Sequence, residues 1–276
     1  MHLTGTAVLA LALYLTAALG LLSRLFRMGP AMLRERRGFT LSCAVAAAML
    51  HTVTLYAAVF TPQGMDLGFF NALALVGWLL ALIGLFTFLK PAFESLGIVL
   101  FPFAGASLVL AETLTGDVFL LAGQGWPIDM HILVSLIAYS LLSVAALQAL
   151  VLAVQEHRLR HGTAGGILSA LPPLQEMEQF LFQLIAAGFA LLTVALLTGL
   201  IFVHNLFTQH LAQKTVLSLF AWAVFAVLLW GRWRSGWRGR AAIRWTLGGF
   251  VVLMLAYFGV KLVLELIQGR HWGLSP

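Results

Sequence analysis

WPIDMHILVSLIAYSLLSVAALQAL, residues 126–150, decides how the rest of the chain is read. Behind His131 run about twenty residues that are almost all apolar, the length one α-helix needs to cross the roughly 30 Å hydrocarbon core of a bilayer. Asp129 stands two positions before the histidine. Ser135, Tyr139 and Ser143 follow it at four-residue intervals, which puts a polar stripe on one helical face.

The same kind of run recurs along the chain. Apolar residues make up 61% of the 276 and charged residues 9%, with a mean hydropathy of +0.98, which is the composition of a polytopic membrane protein. Apolar runs of membrane length predict an all-α fold of about eight transmembrane helices, near 3–23, 39–61, 68–89, 95–112, 131–154, 179–203, 215–231 and 245–267. With their short loops they use nearly all of residues 1–276, a single transmembrane domain. Cys43, the one cysteine, lies inside a run and excludes an internal disulfide or a thiolate metal cluster. No phosphate-binding loop is present, which argues against an ATP-driven pump.

Charge orients the bundle. Thirteen of the 16 Lys and Arg follow the first, third, fifth and seventh spans, so that side is read as cytoplasmic and both termini as periplasmic. The arginines come after the first span, which therefore reads as a retained anchor. The net charge of +6 is a topology signal and not a mark of nucleic-acid binding.

Eight histidines sort by depth. His2 is terminal, and His157 and His161 read as solvated residues of the loop 155–178. His51 lies near mid-membrane, on a face with Ala44, Ala47, Ala48, Leu55 and Ala58. It is read either as a neutral histidine bonded to a hydroxyl on a neighbouring helix or as a ligand. His131, His204, His210 and His271 gather at the outer ends of spans. Such a set of nitrogen donors suits haem, which needs an apolar slot, axial imidazoles and cations for its propionates; zinc is the rival. Lys214, Lys261 and Arg270 are the cations on that side. Within span 8, Tyr257, Lys261 and Glu265 are four residues apart, and the Lys–Glu pair either neutralises itself or offers Lys261 to an anion. Intramembrane His51, Lys261 and Glu265 also raise a small-solute or metal transporter as a reading, without visible inverted repeats.

Three stretches then carry a family resemblance: HILVSLIAYSLLSVAALQAL (131–150), LPPLQEMEQFLFQLIAAGFALLTVALLTG (171–199) and FTQHLAQKTVLSLFAWAVFAVLLWGRWRSGWRGRAAIRWTLGGFVVLMLAYFGVK (207–261). Over residues 70–262 the chain resembles the cytochrome c assembly protein superfamily of haem-handling membrane proteins. Within it, the chain is similar to the HemX-like branch of eight-span bacterial inner-membrane proteins. The runs LPPLQ-x-ME and KTVLSL-x-AW…GWRG are its most specific marks.

The resemblance implies a multi-pass protein of the bacterial inner membrane that assists cytochrome c biogenesis and handles b-type haem, held stably or in transit. Its partners would be haem, other maturation or membrane proteins, and the lipid bilayer. His131 would be an axial ligand, with Ser135 and Tyr139 lining the helix below it. The loop 204–214 replaces the family's tryptophan-rich docking segment, with His204 and His210 in place of any Trp; Lys214 matches the lysine that follows. At position 213, where the branch often has histidine, stands Gln213. His210 is the first choice for the second axial ligand and His271 the second. Trp230 replaces the exporters' histidine near the inner end of span 7, so His51 lacks its usual mate and no second, deep haem site is expected. A regulatory or scaffolding protein of the same fold without stable haem is the alternative.

Overall fold

The computed structural model describes residues 3–26, 37–62, 64–114, 120–121, 126–161, 171–202 and 209–256. Among them are eight α-helices: Leu3–Phe26 (α1), Arg37–Val59 (α2), Phe69–Thr87 (α3), Gly97–Thr113 (α4), Trp126–Arg160 (α5), Leu174–Phe202 (α6), Gln209–Ser235 (α7) and Arg240–Met254 (α8). Seven helical segments are long and apolar enough to cross a membrane. The predicted eighth span, 245–267, begins as α8, and its second half, from residue 257, lies outside the described residues. Several helices start earlier than hydropathy predicts: α5 at Trp126, α6 at Leu174 and α7 at Gln209. Hydropathy registers only the hydrocarbon layer, whereas a helix continues into the headgroup region, where water satisfies its polar side chains.

The chain divides into two compact units, residues 1–123 with 164–172, and 124–163 with 173–276. In the first unit, α1 packs on α2 and α4, and α3 packs on α2 and α4. Its centre is the fully buried Tyr14, stacked on Phe101 at 5.8 Å and surrounded by Ala17, Ala44, Ala47, Ala81 and Ala104. Lipid chains are as apolar as leucine, so helices in a bilayer gain from close packing and favour small residues at the contact. Gly77 of α3 shows how close: a Cβ there would stand 2.0 Å from Ser107 Oγ and 3.2 Å from the Ala104 Cα.

At the arginine-bearing end of this unit, Glu94 ties three segments together. It sits on the 3-10 turn Pro91–Leu96 between α3 and α4 and pairs with Arg24 of α1 at 2.6 Å and Arg37 of α2 at 3.3 Å. Arg37 also donates to the Phe88 carbonyl. At the other end a small antiparallel sheet forms, Phe60–Thr61 (β1), Gly64–Asp66 (β2) and Leu120–Leu121 (β3), with Met65 opposite both Phe60 and Leu121. Leu120 and Leu121 therefore add a strand to a hairpin. Asp66 then starts α3 by accepting from the Gly68 N–H (3.0 Å) and from Asn71 (3.1 Å).

In the second unit α5 packs on α6 and α8, and α7 packs on α6 and α8. The turn between α7 and α8 needs two left-handed residues, Gly236 (φ 65°) and Gly239 (φ 51°). Gly236 closes α7 by bonding back to the Arg232 carbonyl. Gly239 donates its N–H to Glu178 Oε1 of α6 at 2.9 Å. Arg232 lies 3.7 Å from the same carboxylate, and Glu156 of α5 pairs with Arg160 and Arg240. A cavity of about 440 Å³ opens between Glu156, Glu178 and Gly239.

Gly77→Leu is expected to lower the unfolding free energy in detergent by about 1–3 kcal/mol through overpacking of α3 on α4. Glu178→Ala, which strands the Gly239 N–H, is expected to cost about 1–3 kcal/mol, with Glu178→Gln retaining most of it. Thermal or denaturant unfolding of the purified protein measures both.

Candidate functional site

His131 stands in the second turn of α5, at the end opposite the helix's arginines. The 35-residue α5 is about 52 Å long at 1.5 Å per residue, well beyond a hydrocarbon core of about 30 Å. Asp129 lies in the first turn, where a carboxylate suits the positive end of the helix dipole.

The histidine ring is half-buried and turned onto α6. Its Nδ1 lies 3.1 Å from Thr198 Oγ1. A Cβ on the next residue, Gly199, would stand 3.0 Å from His131 Cε1, a tight contact that the imidazole would have to relieve by moving a few tenths of an ångström. The stretch 171–199, which carries part of the family resemblance, thus ends on the two residues that seat His131. Sequence reading passed over both, because a Thr–Gly pair in an apolar helix has no distinctive spacing.

The polar stripe behind His131 proves local. Ser135 donates to the His131 carbonyl (2.7 Å) and Ser143 to the Tyr139 carbonyl (2.8 Å), one turn back in each case. Buried hydroxyls in a helix commonly spend their proton this way. Tyr139 is buried, with its ring 5.9 Å from that of Phe250 on α8.

Elsewhere in this unit, Trp222 of the KTVLSL-x-AW run donates its Nε1–H to Thr193 of α6 (2.9 Å) and stacks on Phe189 at 5.5 Å. The family-specific tryptophan is thereby a bolt between α6 and α7. Lys214 is half-buried on α7. His210 lies in the first turn of α7, and its side chain is outside the described residues, as are His204, Tyr257, Lys261, Glu265, Arg270 and His271. Among the described residues no three His, Cys, Asp or Glu gather as a metal-binding group.

His51 belongs to the first unit and is fully buried. Its Nδ1 lies 3.4 Å from the Tyr14 hydroxyl of α1, with the rings edge to face at 6.0 Å. Of its two readings, the histidine bonded to a neighbouring helix's hydroxyl is the one the geometry matches. Ala44, Ala47, Ala48 and Leu55 are buried on its face as expected. His157 and His161 are exposed, and His161 Nδ1 bonds the His157 carbonyl.

Comparison with known proteins places these features in a family. The model of the cytochrome C assembly protein family matches residues 41–268. The inner membrane protein YpjD of Escherichia coli (strain K12) is 35% identical over 246 residues, 87% of this chain and 92% of the relative. A 28.8 kDa protein from the nifR3-like 5' region of Azospirillum brasilense is 35% identical over 167 residues, 60% of this chain and 62% of the relative. The cytochrome c biogenesis protein CcsA of Gloeobacter violaceus is 28% identical over 112 residues, 40% of this chain and 33% of the relative. No solved structure matches. With its apolar spans and these relatives, the protein is a multi-pass inner-membrane protein. The chain belongs to the cytochrome c assembly protein family.

Proposed function

We propose that the protein binds haem at the periplasmic end of its second unit and passes it on during cytochrome c biogenesis. His131 is one axial ligand. His210, in the first turn of α7 and not in the loop that the sequence suggests there, or failing that His271, is the other, with His204 six positions before His210. Lys214, Lys261 and Arg270 face the propionates. In this reading the chain crosses the membrane eight times with both termini in the periplasm. The basic residues that pair with Glu94, Glu156 and Glu178 support that orientation.

The seat of His131 carries the reading. A metal-binding imidazole needs one nitrogen held by the protein and the other presented to the metal. His131 has Nδ1 engaged by Thr198, close to the end of its helix. The donor chemistry fits haem better than zinc, since a porphyrin iron asks for one imidazole on each side rather than a cluster of protein ligands. When bound, haem would supply the redox-dependent exchange of axial ligands; the chain's part is to hold, orient and release it. The name of the CcsA relative, a cytochrome c biogenesis protein, supports the same process.

One observation favours a second reading, a scaffold of the same fold without stable haem: no tryptophan lies between Phe202 and Lys214. A single experiment separates the two. Protein purified after expression with ample haem is expected to show a Soret band that weakens at least severalfold in His131→Ala and again in His210→Ala or His271→Ala. A colourless wild-type preparation would select the scaffold.

A further inference from the structure

We propose that Thr198 is a positioning residue for His131: its hydroxyl oxygen holds the imidazole as the Nδ1–H tautomer and so presents Nε2 as the nitrogen that meets the iron. The proposal rests on the reading of His131 as a haem ligand given above.

The argument follows the protons. A threonine hydroxyl has one proton and two lone pairs. Thr198 lies 2.9 Å from the Val194 carbonyl and 3.0 Å from the Ala195 carbonyl, both one turn back on α6, and carbonyls only accept. Its proton is therefore committed to its own helix, and what it offers His131 is a lone pair. Across a 3.1 Å contact one partner must donate, so the proton is on His131 Nδ1. A neutral imidazole carries one N–H, which leaves the lone pair on Nε2.

Two contacts elsewhere in the protein show that its threonines do accept across helices. Thr52 donates to the Ala48 carbonyl and receives the Trp78 Nε1–H at 2.8 Å. Thr193 donates to the Phe189 carbonyl and receives the Trp222 Nε1–H at 2.9 Å. Indole N–H is a donor only, so the roles there are unambiguous. Thr198 repeats the arrangement with an imidazole in place of the indole. Gly199 lies beside the same ring: a Cβ there would stand 3.0 Å from Cε1, 3.6 Å from Nδ1 and 3.8 Å from Nε2.

The tautomer can be read without haem. Haem-free full-length protein labelled with 15N at histidine, in detergent micelles, gives two-bond proton–nitrogen correlations, and His131→Gln identifies the signal. The expected pattern has the protonated nitrogen coupled mainly to Hε1, and the bare nitrogen coupled to both Hε1 and Hδ2. Thr198→Val keeps the volume and removes the acceptor; it is expected to lose the single tautomer, and Thr198→Ser to restore it. An Nε2–H pattern in the wild type, or no change in Thr198→Val, overturns the proposal. If Thr198→Val does not fold, the wild-type pattern and Thr198→Ser decide alone. Haem titration is the second readout. Affinity is expected to fall about 10–100-fold in Thr198→Val and to return in Thr198→Ser. Unchanged affinity in Thr198→Val counts against positioning. A wild type that takes up no haem at all overturns the functional reading, while the nitrogen spectrum still decides the hydrogen bond.

Discussion

A bilayer core contains no water, so every polar atom carried into it must find its partner inside the protein. This constraint shapes the helices of this chain more than any single contact. Thr16, Thr52, Thr54, Ser107, Ser135, Ser140, Ser143, Thr193, Thr198 and Thr246 all donate to carbonyls three or four residues back on their own helix. The proton is thereby spent locally. The oxygen's remaining lone pairs are what the helix has left to offer a neighbour, and Trp78, Trp222, His131 and the Thr6 hydroxyl are among the groups that meet them.

Charge is handled at the ends by the same logic. Three half-buried glutamates, Glu94, Glu156 and Glu178, each draw arginines from other segments. The arginines are visible in the sequence as an orientation signal, but that signal does not say they are joined to anything. The most specific family runs turn out to meet here as well. Glu178 of LPPLQEMEQF accepts from Gly239 of GWRG, a bond that fixes the α7–α8 turn on the start of α6. These marks are thus accounted for as joints of the second unit, distinct from the end that carries His131.

The site was legible in unequal parts. His131 could be singled out because an imidazole beside an apolar run is rare and costly, and its place near one end of α5 followed from helix length. Its partners Thr198 and Gly199 lie 67 and 68 positions away and look like ordinary residues of a membrane helix. Tyr14, the partner of His51, is hidden in the same way, although a hydroxyl on another helix was among the expectations. Ser135 and Ser143 spend their protons within one turn of α5, which the spacing of the stripe alone does not reveal.

By itself the sequence determined the class of fold, the approximate spans and the family, because these depend on local composition, on the length of apolar runs and on motif identity. Only the tertiary structure decided which oxygen faces the His131 nitrogen, that α5 begins five residues before that histidine, and that Leu120 and Leu121 join a strand. Those outcomes turn on which helices lie side by side and how closely. That closeness is set by small residues such as Gly77 and Gly199, whose meaning appears only when the opposing backbone is in place.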